Sequence, residues 1–338
     1  MDTPAGSVPQ ISTVLRWTDH LGTCKARWGV RRMQYSVQPG LYAAGNPTGD
    51  SPVLVSANYK MSFDRLRSAI DGIDAWILVL DTKGINVWCA AGKGTFGTDE
   101  LVERIAATKL SEIVSHKRLI VPQLGAPGVA AAEVRERTGF RVVYGPICAE
   151  DIRAFLQDNM KATPAMRLVE FTLWHRLAVA PVELVTLAKY ALIAMLALLL
   201  LAGLGADGYR LTRVFETGVY SALLFAAAFV AGTILTPALL PWLPGRALSV
   251  KGFWAGIALL LGLAGWVWAT GFEPQSWATV AAWCLIVPLV TSFTAMNFTG
   301  STTYTSLSGV LREMRRAVPI QIVAATVGTI LWIVGRFF

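Results

Sequence analysis

Five long apolar runs constrain this chain more than any other feature. They lie at about 184–204, 215–235, 252–271, 277–296 and 318–335. Each is long enough to cross a hydrocarbon layer ~30 Å thick as a helix, with every backbone polar group paired inside the segment. The pattern predicts an all-α membrane domain of five transmembrane helices over residues 184–338. It also accounts for a composition that is 54% hydrophobic and only 15% charged. Residues 1–165 have the charge density of an ordinary globular domain, and 166–183 reads as a linker.

Charge sets the expected orientation. The opening "MDTPAGSVPQISTV" has no apolar signal core, so the N-terminal domain is expected in the cytosol. That placement puts Arg167, Arg176, Lys189, Arg246, Lys251, Arg312, Arg315 and Arg316 on the cytosolic side, against Arg210, Arg213 and Arg336 outside. The excess of inner positive charge predicts a multi-pass protein of the cytoplasmic (inner) membrane with its C-terminus outside. Topology then explains most of the net charge of +8, and no nucleic-acid partner is needed. Within the spans, ionisable groups are confined to Lys189 and Glu216 near the ends, which favours a membrane anchor over a transport path. Pro288 is expected to kink the fourth span, and Trp242, Trp254, Trp277 and Trp332 to sit at the lipid–water interface. The polar stretch 297–316 reads as a cytosolic connecting loop that could dock a partner.

The first half alternates strand and helix patterns. Segments 51–59, 74–81, 118–126 and 141–147 are strand-like; 63–72, 99–114, 128–140 and 149–159 have helical spacing; residues 1–50 show no clear period. Continuous apolar strands alternating with helices predict an α/β, Rossmann-like domain, a parallel sheet with helices on both faces. In such folds ligands sit beyond the carboxyl ends of the strands. One strand end delivers "DTKGINVWCAAGKGTFGTDE", residues 81–100.

That stretch carries the chemistry. Gly92, Gly94 and Gly97 match a dinucleotide-type glycine pattern, yet they stand too far beyond the strand end to form its tight turn. A Walker A loop fails because Val87 replaces its first glycine and Gly94 stands where Ser or Thr is needed after Lys93. Asn86 is a good N-cap, so Val87, Trp88 and Cys89 are expected to open a short helix ending at Gly92. A thiol in that first turn meets unsatisfied N–H groups and the positive end of the helix, which favour a thiolate. Ala90, Ala91 and Gly92 leave room for something large and flat. On residues alone, a functional and a buried structural cysteine remain equally open. His20, His116 and His175 are too scattered to support Cys–His hydrolysis.

The stretch "GINVWCAAGKGTFGT" resembles the cap-helix signature N-V-W-C-A-A-G-K of the mercury-methylating corrinoid proteins, the HgcA family. "QPGLYAAGNP", "SPVLVSANYKMSFDRLR", "LIVPQLGAPGVAA" and "GFRVVYGPICAEDI" are similar to the same family's soluble domain, and the five spans resemble its membrane domain. The soluble part also looks like the corrinoid-binding domain of the corrinoid/iron–sulfur protein of acetyl-CoA synthesis. The resemblance implies a corrinoid (cobalamin-type) cofactor with the Cys89 thiolate as lower axial ligand of cobalt. Asn86, Val87, Trp88, Ala90, Ala91, Gly92 and Lys93 would shape its lower face. Strand-end position alone suggests Gln123, Gly125 and Gly145 as contacts of the corrinoid tail.

The implied reaction moves a methyl group from a methyltetrahydrofolate-dependent donor to Hg(II), forming methylmercury. Hg(II) is an electrophile, so it takes the group as a carbanion equivalent or by a radical route. Departure as a carbanion leaves Co(III), and restoring Co(I) then needs two electrons at low potential. Cys24, Cys89, Cys148 and Cys284 are too widely spaced to hold an iron–sulfur cluster. The resemblance therefore implies a small ferredoxin with two 4Fe–4S clusters as external donor. Cys24, Cys148 and Cys284 read as packing residues. Two other readings stay open: a membrane-anchored methyl carrier of one-carbon metabolism with another acceptor, and a non-enzymatic membrane sensor.

Overall fold

Apolar strands that alternate their side chains between two faces organise the first half of the chain. The computed structural model describes residues 1–271, 276–298 and 307–337. It divides into two units, one of Met1–Ala26 with Val30–Glu170, the other of Arg27–Gly29 with Phe171–Phe338.

The first unit is built on a six-stranded sheet of order β3-β4-β6-β5-β7-β8, with a small β1–β2 hairpin beside it (Asp2–Thr3, Gly6–Ser7). The sheet strands are β3 (Gln10–Ile11), β4 (Gly40–Ala44), β5 (Val53–Ala57), β6 (Ala75–Leu80), β7 (Arg118–Val121) and β8 (Arg141–Tyr144). In β6, Trp76, Leu78 and Leu80 enter one core while Ala75, Ile77 and Val79 enter the other. Buried on both faces, such a strand must read as a continuous apolar run. Helices α3 (Val87–Lys93), α4 (Thr98–Ala107) and α6 (Ala131–Thr138) supply residues to the first core; α2 (Lys60–Ala69) and α7 (Ile152–Gln157) supply the second. Helices on both faces agree with the expectation.

The wholly parallel sheet does not. β4 runs antiparallel to β6, pairing Gly40 with Val79 and Ala44 with Ala75, so the sheet is mixed. Residues 1–50, which lack a period, contribute β3, β4 and α1 (Trp17–Arg27). β3, at the sheet's edge, has only two residues, too few to set up a readable alternation. Segment 99–114 is broken into α4 and α5 (Leu110–Ile113) by Lys109 at φ 48°. The strand expected over 118–126 stops at Val121, before Pro122.

An ionic cluster ties the N-terminal segment to α2. Lys60 bridges Asp19 and Asp64 at 2.7 and 2.6 Å, while Arg67 reaches the same two carboxylates at 2.8 Å each. Arg67 Nη1 also donates to the Ser12 and Val14 carbonyls. Burial by itself would raise the Asp19 pKa, but hydrogen bonds from Lys60, the Arg16 N–H and Arg67 outweigh it and hold the carboxyl well below the usual carboxylate range.

Among the described residues, the second unit contains five helices long and apolar enough to cross a membrane: Leu173–Leu201, Leu211–Leu239, Leu248–Thr270, Trp277–Asn297 and Gly309–Val334. The first begins well before residue 184 and passes through Pro181, so most of the stretch read as linker is helical. Small residues let the third and fourth helices approach closely: a Cβ on Gly252 would meet the Thr291 carbonyl oxygen at 2.4 Å, and one on Gly256 the Pro288 Cα at 2.6 Å. Trp242, Trp254 and Trp277 are exposed, but Trp332 is not. It is fully buried in the bundle and its indole N–H donates to Ser221 Oγ at 3.1 Å. Lys251 is also no free loop charge, since its Nζ donates to the Leu240 and Leu243 carbonyls. Arg176 is likewise buried. Cys24 and Cys284, expected to pack inside, are exposed, and Cys148 is half-buried. The stretch 297–316 is not the connecting loop expected: Asn297 ends the fourth helix and residues 307–316 already belong to the last one, while residues 299–306 lie outside the described residues.

Because the folded Asp19 carboxyl titrates below its unfolded counterpart, its contribution is present above the unfolded carboxylate pKa of ~3.9 and is lost as pH falls below it. Thermal unfolding of the purified chain should show the first unit losing stability steeply below about pH 4, with a shallower acid limb for Asp19→Asn. Asp64→Ala should cost about 1.5–3 kcal/mol at neutral pH, because it leaves Lys60 and Arg67 to share the Asp19 carboxylate alone.

Candidate functional site

The parallel strands β5, β6, β7 and β8 end on one edge, and the segments that follow them converge there. The turn after β6 is held by one buried amide. Asn58, 5% exposed, accepts at Oδ1 from the Thr82 N–H (3.2 Å), the Thr82 hydroxyl (2.8 Å) and the Gly84 N–H (3.0 Å). Its Nδ2 donates to Asp81 Oδ1 at 3.1 Å. Gly84 adopts φ +70°, and a Cβ there would stand 2.8 Å from the Met33 carbonyl oxygen, so only glycine fits. The Asp81 N–H donates to Glu100 Oε1, which also binds Arg104. A hydrogen-bonded ion pair with Lys83 holds the Asp81 carboxyl below its usual range despite partial burial.

This turn delivers α3. Asn86 caps it as expected, its side chain accepting from the Cys89 N–H at 2.9 Å. The helix runs one residue past the expected end and closes on Gly94 at φ +80°. Gly92 therefore lies inside a helix, Gly94 ends it, and Gly97 caps the start of α4. The glycine triplet closes one helix before opening another, not the geometry of a dinucleotide fingerprint.

Two sides of α3 do different things. Ala90 and Ala91 are buried against the loop of residues 125–128, where a Cβ on Gly128 would meet the Phe96 carbonyl oxygen at 2.1 Å and Ala91 Cα at 3.1 Å. Trp88, Gly92 and Lys93 are exposed and Cys89 is half-buried. Nothing lies within 4 Å of a Cβ placed on Gly92. The open face of this short helix thus offers a cysteine, a tryptophan and a bare backbone patch, a surface a flat ligand can approach. Beside it lies a cavity of about 330 Å3 lined by Asn86, Val87 and Trp88 of the α3 entry, Pro122 and Leu124 after β7, and Gly145 to Ile147 after β8.

The tail-contact residues divide. Gly145 lines the cavity, although packing also requires its small size, since a Cβ would meet Ile120 Cγ2 at 2.9 Å. Gly125 is buried, with a would-be Cβ 2.4 Å from Phe96 Cε1; its smallness serves the ring of Phe96. Gln123 is engaged at Oε1 by Arg167. Cys148, after β8, has its thiol pushed up by burial and by Asp151 and Glu150. Sequence reading missed Asn58 and Thr82 as the residues that fix the site. Their only signal is a polar residue closing each of two apolar strands.

Residues 29–156 match the family model of the CO dehydrogenase/acetyl-CoA synthase delta subunit. Among curated proteins, the chain is similar to the acetyl-CoA decarbonylase/synthase complex subunit gamma of Archaeoglobus fulgidus, with 34% identity over 130 residues, 38% of this chain and 27% of that protein. The subunits gamma of Methanopyrus kandleri (31% over 130 residues, 38% of this chain and 28% of that protein) and Methanosarcina acetivorans (32% over 132 residues, 38% and 28%) are similar to a comparable extent. The chain spans just over a quarter of the length of these relatives. The matched region carries the strand-end turns, α3 and the cavity, while the five apolar helices lie outside it.

Asn58→Leu should leave the Gly84 N–H buried without its acceptor and the Thr82 N–H with only the Leu80 carbonyl at 3.1 Å, at about 1–3 kcal/mol for the orphaned group. Asn86→Ala should cost about 1 kcal/mol through the lost cap. Chemical unfolding of the full chain, with hydrogen exchange read over residues 81–94, would measure both; Asn58→Leu should raise exchange throughout the turn.

Proposed function

We propose that the first unit is a corrinoid-binding methyl carrier anchored in the cytoplasmic membrane by the second, with Cys89 as the thiolate ligand beneath the cobalt. The single observation that carries this reading is the open face of α3, where Cys89 and Trp88 flank Gly92 and no atom covers the backbone. The similarity to acetyl-CoA decarbonylase/synthase subunits supports methyl transfer in one-carbon chemistry.

The corrinoid supplies a cobalt centre that takes up a methyl group and gives it away. Cys89 would hold that centre through its sulfur, with its helix fixed at one end by the Asn86 cap and at the other by Gly94. Trp88 and Gly92 would lie against the ring's lower face, and Lys93 at its rim. The cavity beside Val87 and Gly145 suits a chain hanging from the ring's edge, so of the residues expected to touch it Gly145 is retained, whereas Gln123 and Gly125 already serve Arg167 and Phe96.

The finer reading is that the acceptor is Hg(II), giving methylmercury. It is favoured by the N-V-W-C-A-A-G-K signature and by ligand chemistry, because a thiolate is a strong electron donor suited to handing methyl to an electrophile. A methyltetrahydrofolate-dependent donor would supply the group and a small ferredoxin the electrons, both from the cytosolic side. The competing reading, a carrier whose acceptor belongs to acetyl-CoA chemistry, is favoured by the relatives' names.

The full chain in detergent, loaded with a cobalamin, should bind it and give a spectrum that changes in Cys89→Ala. With methyl donor and ferredoxin present, native protein should methylate Hg(II), and the variant should fall by about 100-fold or more, the scale at which altered metal ligation acts. Cofactor uptake with identical spectra would remove Cys89 as ligand. Methyl turnover to a different acceptor, with none to Hg(II), would establish the competing reading.

A further inference from the structure

Helix α1 is turned the opposite way from a helix packed into a core. Its polar and small residues face the fold: Asp19 holds Lys60 and Arg67, a Cβ on Gly22 would stand 2.5 Å from Tyr35 Oη, and Ala26 is 1% exposed. Its large apolar residues face away. Trp17 is 77% exposed and Leu21 42%, and Cys24 is exposed too. Spaced at i, i+4 and i+7, these three form one stripe along the helix. Val14, ahead of the helix, and Trp28, just past its end, are also exposed. A contiguous apolar stripe on a surface marks an interaction site.

Charge says what kind of partner fits. Residues 14–34 hold Arg16, Lys25, Arg27, Arg31 and Arg32 against one carboxylate, Asp19, which is turned inward to Lys60 and Arg67. Arg16, Lys25, Arg27 and Arg31 form no salt bridge among the described residues. Helical spacing sets Lys25 on one edge of the stripe and Arg27 on the other. Apolar side chains between basic edges are the pattern of a helix that lies in a lipid headgroup layer. Indoles settle at that depth, and cations there meet lipid phosphates. An acidic protein would answer the cations but gives no reason for exposed indoles between them. The second unit, which includes Arg27–Gly29, holds helices long and apolar enough to cross a membrane, so a bilayer is at hand.

We propose that α1 and the turn after it bind the surface of an anionic phospholipid bilayer. Trp17, Leu21 and Trp28 enter the headgroup layer, and Arg16, Lys25, Arg27 and Arg31 meet its phosphates. The inference rests on membrane anchoring by the second unit and is independent of the corrinoid reading.

The test uses the full chain in nanodiscs of phosphatidylcholine with or without phosphatidylglycerol, each containing phospholipid with a diazirine at the top of one acyl chain. After irradiation, mass spectrometry of the peptides locates the lipid adducts. Adducts should appear within residues 14–33 and rise about fivefold or more with phosphatidylglycerol, the scale of one surface cation beside an anionic leaflet. High salt should reverse the rise. The charged helix α6 should take no adducts in either lipid. Arg16→Gln/Lys25→Gln/Arg31→Gln should abolish the rise, and Trp17→Ser/Trp28→Ser should remove most adducts from the segment. Adducts on the five apolar helices report the anchoring separately. Their presence without adducts at 14–33 would leave the stripe to a protein partner and overturn the proposal. Equal yields with and without phosphatidylglycerol, or equal labelling of α6, would also overturn it. No adducts on the apolar helices would remove the anchoring and this proposal with it. The comparison on native protein decides the matter even if a variant fails to fold.

Discussion

One buried side chain, the amide of Asn58, supports the whole candidate site. It stands at the end of β5 and gathers the backbone of the neighbouring turn, so that Asp81, Thr82 and Gly84 are fixed relative to the sheet. Buried polar groups are stabilising only when satisfied, and here one carboxamide satisfies several at once. The turn it holds sets where α3 begins, and therefore where Cys89 stands above the strand ends.

A seven-residue helix has little intrinsic stability. α3 is held by tertiary means: an Asn cap at one end, a left-handed glycine at the other, and two alanines pressed against the 125–128 loop. Their small side chains let the helix lie close to that loop while its opposite face stays open. This division explains why bulk is absent on both sides of the cysteine. Inward smallness serves packing, and outward smallness leaves space for a ligand.

The membrane unit follows another logic. Without a hydrophobic drive between helices in lipid, packing depends on close approach and on polar groups that find partners. Gly252 and Gly256 provide the first against Thr291 and Pro288. Trp332 with Ser221 and Lys251 with two carbonyls provide the second. Gln321 satisfies its nitrogen and leaves its oxygen buried without a partner among the described residues, which sets it apart from those neighbours.

Long, continuous signals were legible in the sequence. Five apolar runs gave five apolar helices, because a span must be apolar along its whole length, and strands buried on both faces read as unbroken β5 and β6. The Asn86 cap was legible because capping is local. The antiparallel β4 was not, since its partner β6 lies more than thirty residues away and nothing in "GLYAA" records direction. Burial of Trp332 was equally hidden: a tryptophan near a helix end suits both an interface and a core, and only the Ser221 hydroxyl on another helix decides between them. The sequence by itself determined the long apolar helices and the doubly buried strands β5 and β6, and that a lone cysteine opens a capped turn. Only the tertiary structure decided which face of that turn is open and which glycines serve packing, because those depend on residues such as Asn58, Phe96 and Ile120 brought close by the fold.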